Sequence, residues 1–208
     1  MQFTEKELKL LKKLNTPAKI QEFINKIPIN FEDDGQGESC MSPVNVLRKD
    51  KCHCIEGAFL AAFLFWFNKI GSPLVLDMHG TKEDYDHVIA VFQDKKTHKW
   101  GAISKSNHAV LRYREPVYRD IHELVMSYFH EYSDDDGNKT LREFSESVDL
   151  RIFGKEWVTN DNDLWYIHDY LDSVKHFGIL TKVQVKNLKK QDSIEIKTGE
   201  VTEYKRKI

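Results

Sequence analysis

From Ala58 to Phe67 the chain reads AFLAAFLFWF, ten apolar residues in succession. As a helix this run is apolar on nearly every side, so it must lie in the middle of a core with neighbours all round. It is far too short to span a bilayer. Gly71 closes it, and KCHC, residues 51 to 54, stands directly before it. Two cysteines and a histidine at the mouth of a buried helix can be a metal knuckle, a redox pair or a nucleophile. Each alternative requires different partners elsewhere.

The 208 residues suffice for one good core or for one core with a small appendage. A net charge of -2 gives no global reason to expect nucleic acid or an anionic membrane as a partner. The N-terminal MQFTEKELKLLKKL carries lysines and glutamates where a signal peptide needs an apolar stretch, so a cytoplasmic protein is expected. Three cysteines are an odd count, and Cys52 and Cys54 stand too close to bridge. Free thiols are expected.

Thr4 and Glu7 form a capping box for a first helix over residues 5 to 14. Thr16-Pro17 starts a second, PAKIQEFINKI. Pro28 and DDGQGES, residues 33 to 39, predict a polar loop before the central helix. Three strand candidates follow, SPLVLDM, HVIAVF and KWGAIS, the last two joined by the polar loop QDKKTHK. A helical pattern resumes over 119 to 132 and again from Asp163 to Phe177. The pattern predicts an α+β domain over residues 1 to 181, helices first and an antiparallel sheet after. Residues 182 to 208 form a basic tail, with eight Lys or Arg against four Asp or Glu, ending in a small hairpin around Thr198-Gly199.

Cys-x-Cys is not a zinc spacing, and no second cysteine pair completes a tetrahedral site, so no bound metal is expected. The two intervening residues of a thioredoxin-like pair are missing too. YSDDDGNKTLRE, residues 132 to 143, runs in partial register with an EF-hand loop, but Tyr132 holds the first ligand position and Lys139 a position that is normally apolar. It reads as an acidic turn.

A thiolate is favoured at a helix start, where unpaired N–H groups and the helix dipole meet a negative charge. Cys54 occupies that position. On the helix alone it reads better as a small buried hydrophobe, so a base has to decide. If Phe92 pairs with Lys99 across the hairpin, directly opposed residue numbers place His87 against Ser104. An imidazole at a strand end with a hydrogen-bonding side chain opposite is the base-and-orienter half of a Cys-His-polar triad. Val88, Ala90 and Phe92 then share one face of the strand, and His87, Ile89 and Val91 the other.

At these residues the chain resembles the transglutaminase-like, papain-related superfamily. The resemblance lies in Cys54-x-x-x-Ala58 opening a hydrophobic helix, Gly71 after it, then DHVIAVF and WGAIS, and it covers roughly residues 40 to 110. It implies a central helix packed on a small antiparallel sheet with flanking helices, Cys54 as nucleophile and His87 as base. Trp100 matches the family's Trp, and Ser104 falls where the family has Asp. A serine can hold the imidazole tautomer but brings no charge, and Asn107, three residues on, is an alternative orienter.

His53 reads as a bystander, because adjacent residues at a helix start diverge, and Glu56 as a first-turn carboxylate. HAVLRYREP, residues 108 to 116, alternates apolar and basic side chains. It is an edge strand with solvated arginines, or else Arg112 or Arg114 meets an anionic substrate group. The chemistry expected is acyl transfer through a thioester, with hydrolysis of a peptide, protein or small amide substrate favoured over transfer to an amine. No cofactor, nucleic acid or membrane is implied. The alternatives are a non-catalytic binding module on the same fold and, more weakly, nucleic-acid association through the tail.

Overall fold

A computed structural model describes residues 3–32, 35, 37–82 and 84–205. The expected polar loop at 33 to 39 therefore falls partly outside the described residues, as does the end of the tail. The chain is mixed helix and antiparallel sheet, an α+β protein.

The apolar run lies in a fourteen-residue helix, Cys54–Phe67, with every residue from Ile55 to Phe65 buried. Its neighbours come first from the N-terminal helices. Helix α1 (Glu5–Lys13) starts at the Thr4/Glu7 capping box, and α2 (Pro17–Lys26) starts at Thr16 with proline in its first turn. A third helix, α3 (Pro43–Lys49), is not evident from apolar periodicity; its only local signal is the Ser42-Pro43 start. The central helix is thus α4, and Leu11, Ile20, Ile24, Val46 and Trp157 share its core cluster. Each large apolar side chain buried this way contributes about 1.5–3 kcal/mol.

The other side of α4 rests on the sheet. Strands β1 (Leu74–His79), β2 (His87–Gln93), β3 (Trp100–Ile103), β4 (Arg114–Tyr118), β5 (Glu143–Ser145) and β7 (His176–Gly178) run in the order β4-β3-β2-β1-β5-β7, while β6 (Val148–Asp149) also pairs with β1. Val88, Ala90 and Phe92 of β2 pack with α4. Ile89 and Val91 face a second cluster with Leu124, Val125 and Tyr128, from helix α5 (Ile121–Met126) and the turn after it. Burial on both faces explains why β2 reads as an unbroken apolar run instead of an alternation.

Five expectations need correction. The β2–β3 register is offset by two residues: Phe92 pairs with Gly101, Gln93 with Trp100 and Ala90 with Ile103. The cause is Asp94. Its carboxylate accepts the Lys96 and Thr97 N–H groups, and its backbone N–H donates to the Lys99 carbonyl at 2.9 Å, so the turn is centred one residue further along the chain than the expected pairing has it. An offset of two preserves the facing of every side chain. The helix over 119 to 132 is also shorter than its pattern, since α5 ends at Met126. The helix expected over 163 to 177 ends at Ser173 (α6, Trp165–Ser173), and His176–Gly178 instead pairs with β5, with Phe177 against Phe144. Finally, Thr198 and Gly199 lie in a helix, not a hairpin. The C-terminal segment forms α7 (Lys182–Lys186) and α8 (Ser193–Gly199) and then runs back beside residues 107 to 109, with Ala109 N–H on the Val201 carbonyl and Glu203 N–H on the Asn107 carbonyl. The edge strand expected over 108 to 116 begins only at Arg114.

Among the described residues, no helix is long and apolar enough to cross a membrane.

Gly57 shows how tightly α4 is fitted. A Cβ there would stand 2.6 Å from the Lys105 Cβ. Lys105 is 2% exposed, and its ammonium donates to the Ile24 and Ile27 carbonyls, so the stem is anchored. In an open helix Gly→Ala gains about 1 kcal/mol. Here Gly57→Ala is expected to destabilise by about 1–3 kcal/mol through overpacking, read as a lower urea midpoint.

Candidate active site

Cys54 is the first residue of α4 and is partly exposed, whereas Cys40 and Cys52 are buried; all three are free. Burial by itself would raise the Cys54 thiol. Hydrogen bonds to His53 and then His87, with the charge of each, outweigh that and bring it down to about 5. The other two thiols go the opposite way. Burial, reinforced by the Glu56 carboxylate, carries Cys40 well above the thiol range; burial pushes Cys52 up to about 12.

His87 stands at the start of β2 and is 7% exposed. Its Nε2 lies 2.7 Å from the Ser104 hydroxyl oxygen. That hydroxyl donates to the Leu111 carbonyl at 2.5 Å, and a carbonyl can only accept. The serine hydrogen is therefore committed, so Nε2–H donates to Ser104 and Nδ1 is left for the thiol. Ser104 fixes the tautomer despite the shifted register, because it sits just past the last paired residue, Ile103, diagonal to His87 rather than opposite it. Gln21 of α2 pins Ser104 in turn, accepting its N–H at 3.0 Å and donating to its carbonyl at 2.8 Å.

His53 is no bystander. The expectation that it diverges from Cys54 assumes helical geometry, but His53 is the N-cap, with extended φ −104° and ψ −167°. That backbone brings its ring onto the neighbouring thiol. Its Nε2 donates to the Ser39 carbonyl at 2.7 Å and lies 3.4 Å from Glu32 and 3.6 Å from Glu56. Although burial opposes the charged ring, the hydrogen bond and charge of Cys54, then Glu56 and the Ser39 carbonyl, push His53 up to about 10. The thiolate is thus paired with a protonated ring at its own helix start.

Glu56 belongs to the first turn, as expected, yet it is fully buried and links three segments. Its carboxylate accepts the Ser39 hydroxyl at 2.7 Å, the Met41 N–H at 3.0 Å and the His53 N–H at 3.0 Å. The sequence signal for this arrangement is the N-cap and N3 spacing of His53 and Glu56.

The remaining candidates are committed elsewhere. Asn107 does not reach His87: its amide brackets Tyr204, donating to the carbonyl at 3.1 Å and accepting the N–H at 2.9 Å. Arg112 donates to the His108 carbonyl and pairs with Glu203 at 2.9 Å. Arg114 pairs with Glu131 at 2.7 Å, donates to Ser127 and lies over the Tyr128 ring, so it is a packing residue of β4. Trp100 starts β3, four residues and roughly 13 Å of extended chain from Ser104, and packs with the α5 cluster. In the EF-like segment, the Asp134 carboxylate is taken up by the N–H groups of Asp136 and Asn138 and by the Asn138 amide. It closes a turn.

A partly exposed thiolate flanked by two imidazoles, one of them held in a single tautomer, is competent for nucleophilic attack followed by proton transfer. Searches give no matching protein-family model and no matching curated protein.

Proposed function

We propose that this protein is a cysteine-dependent acyl-transfer enzyme that hydrolyses an amide or peptide bond through a thioester. The observation that carries the reading is the Cys54 thiol held near 5 by His53 and His87 at the start of α4. The order of parts supports it as well: a cysteine opening the central helix, a histidine opening a sheet strand, and a polar side chain on the ring's far nitrogen. That order is what the transglutaminase-like resemblance implies.

In this reading the Cys54 sulfur attacks the carbonyl carbon. The N–H groups of the first α4 turn have no carbonyl partner within the helix and receive the developing oxyanion. His87, carrying on Nδ1 the proton that Cys54 gave up, delivers it to the departing amine as the C–N bond breaks, leaving a thioester on Cys54. The same ring then takes a proton from water as the water attacks, and the acid product leaves with the thiolate restored. His53 holds the thiolate charge between turnovers. Ser104 orients His87 but contributes no charge to it; the carboxylates of this site, Glu32 and Glu56, stand behind His53 instead.

The neutral Ser104 favours a second reading, a binding module that keeps the fold and the thiolate without turnover. An activated ester such as p-nitrophenyl acetate separates the two. The enzyme reading expects an initial burst, an acetyl adduct mapped by mass to Cys54, and its decay in water. A stable adduct, or none, on a protein whose Cys54 still alkylates rapidly would support the binding module and reject the enzyme.

A further inference from the structure

Asp77 is a carboxylate inside the protein, 2% exposed, on the second-to-last pair of positions of β1. Its Oδ2 lies 2.9 Å from His79 Nε2, but its Oδ1 is buried with no hydrogen-bond partner. Leaving such an oxygen unpaired is costly, and native structures rarely do so without an ion, water or function behind it. Asp86 brings Oδ2 to 3.9 Å from the same ring nitrogen, and one donor atom each from Asp77, His79 and Asp86 lies within 4.8 Å of the others. Two more carboxylates close in: Asp172 of α6 at 4.0 Å from Nε2, and Glu143 of β5 at 3.8 Å from Nδ1.

Four carboxylates converge on one imidazole, and their ion pairs among the described residues run to histidines only. A protonated His79 answers the Asp77 Oδ2 contact. It leaves Oδ1 and the other negative charges unanswered. Ligands around a small divalent ion, each about 2.0–2.2 Å from it, stand roughly 3–4 Å apart, close to the spacing found here. The second shell has the right form too. With Nε2 on a metal, His79 Nδ1–H faces Glu143, the carboxylate–histidine arrangement that fixes ligating imidazoles. The His176 ring is tilted by 35° against His79 at 4.4 Å between centroids, donates Nδ1–H to the Val174 carbonyl, and carries an unpartnered, buried Nε2.

We infer that Asp77, His79 and Asp86 form a binding site for a divalent transition-metal ion, distinct from Cys54, with Glu143 orienting the imidazole. One nitrogen and two carboxylate donors suit Zn2+ or Mn2+ better than Ca2+ or Mg2+, which take oxygen ligands. The site does not depend on the acyl-transfer reading. It adjoins the candidate active site through Asp86, whose neighbour is His87.

The test is zinc titration of chelator-treated protein against a chromophoric competitor, with thermal melts in parallel. The expected result is one equivalent bound, a raised melting temperature, the same affinity in Cys54→Ser, and affinity lower by about tenfold or more in Asp86→Asn, in line with losing one contact to the metal. Asp86 is 49% exposed at its side chain, so this variant should fold without metal, which its melt without zinc verifies. Asp77→Asn should lose binding as well. No uptake at about 100 μM free zinc, which is far weaker than a protein zinc site, would overturn the inference. So would binding that Cys54→Ser abolishes and Asp86→Asn leaves unchanged. An equal thermal shift from Ca2+ would overturn the choice of a transition metal.

Discussion

Iodoacetamide at pH 6 is expected to alkylate Cys54 and leave Cys40 and Cys52 unmodified. With its thiol near 5, Cys54 is about nine-tenths thiolate at that pH, against about 0.3% for an ordinary cysteine. A less basic thiolate is intrinsically a poorer nucleophile, and a Brønsted slope of about 0.4–0.5 returns some thirty- to sixtyfold of that advantage. The net expectation is alkylation about five- to tenfold faster than an ordinary exposed thiol at pH 6. Selectivity over the two buried cysteines should exceed about a thousandfold, since both are inaccessible and their thiols are raised. The sign of the pH dependence follows from the depressed thiol: the rate is level above pH 6 and falls as pH drops through 5. Peptide mapping after a short pulse reads it, and label on Cys52 would show that the motif has been aligned on the wrong cysteine.

The second large effect is expected from His53→Ala. His53 is the strongest of the two influences that lower the Cys54 thiol, while burial, which raises it, stays in place. An opposite charge at such range is worth about one to three pKa units, so the midpoint should rise by about two and the thiolate fraction at pH 6 should fall about tenfold. The N-cap backbone and its bond to Glu56 remain, but the ring's bond to the Ser39 carbonyl and its contacts with Glu32 and buried Glu56 are lost, so the variant should also be destabilised by about 1–3 kcal/mol, and its alkylation is read well below its melt. Because the more basic thiolate is also the better nucleophile, the rate at pH 6 changes little and the readout is the midpoint of the pH–rate profile. If that midpoint stays at the wild-type value in His53→Ala, the thiolate depends on His87 alone and the two-imidazole site is wrong.

Much of this site can be read in the sequence because it depends on local signals. The apolar run dictates a buried helix, its first residue is Cys54, and the strand opened by His87 is short, apolar and bounded by turns. Ser104 could be located by counting across the hairpin even with the wrong register, since an error of two keeps the face. What could not be read depends on contacts between distant segments or on backbone geometry at one residue. His53 approaches the thiol only because the N-cap is extended, which a helical projection hides. Asn107 and Arg112 look available until the C-terminal segment, more than ninety residues away, engages them. Strands of two or three residues such as β5, β6 and β7 are too short to show any period; β5 and β6 form because β1 offers them an edge, and β7 because β5 does.

The proposed chemistry requires a charged sulfur at the start of α4. Its most direct test is the ultraviolet absorbance of the thiolate, followed from pH 3.5 to 9.5 as the difference between the wild-type protein and Cys54→Ala. A single thiolate appearing with a midpoint near 5 is the predicted result. A midpoint near 8.5, the ordinary value for cysteine, would mean that neither histidine holds the sulfur as an anion and would contradict the account.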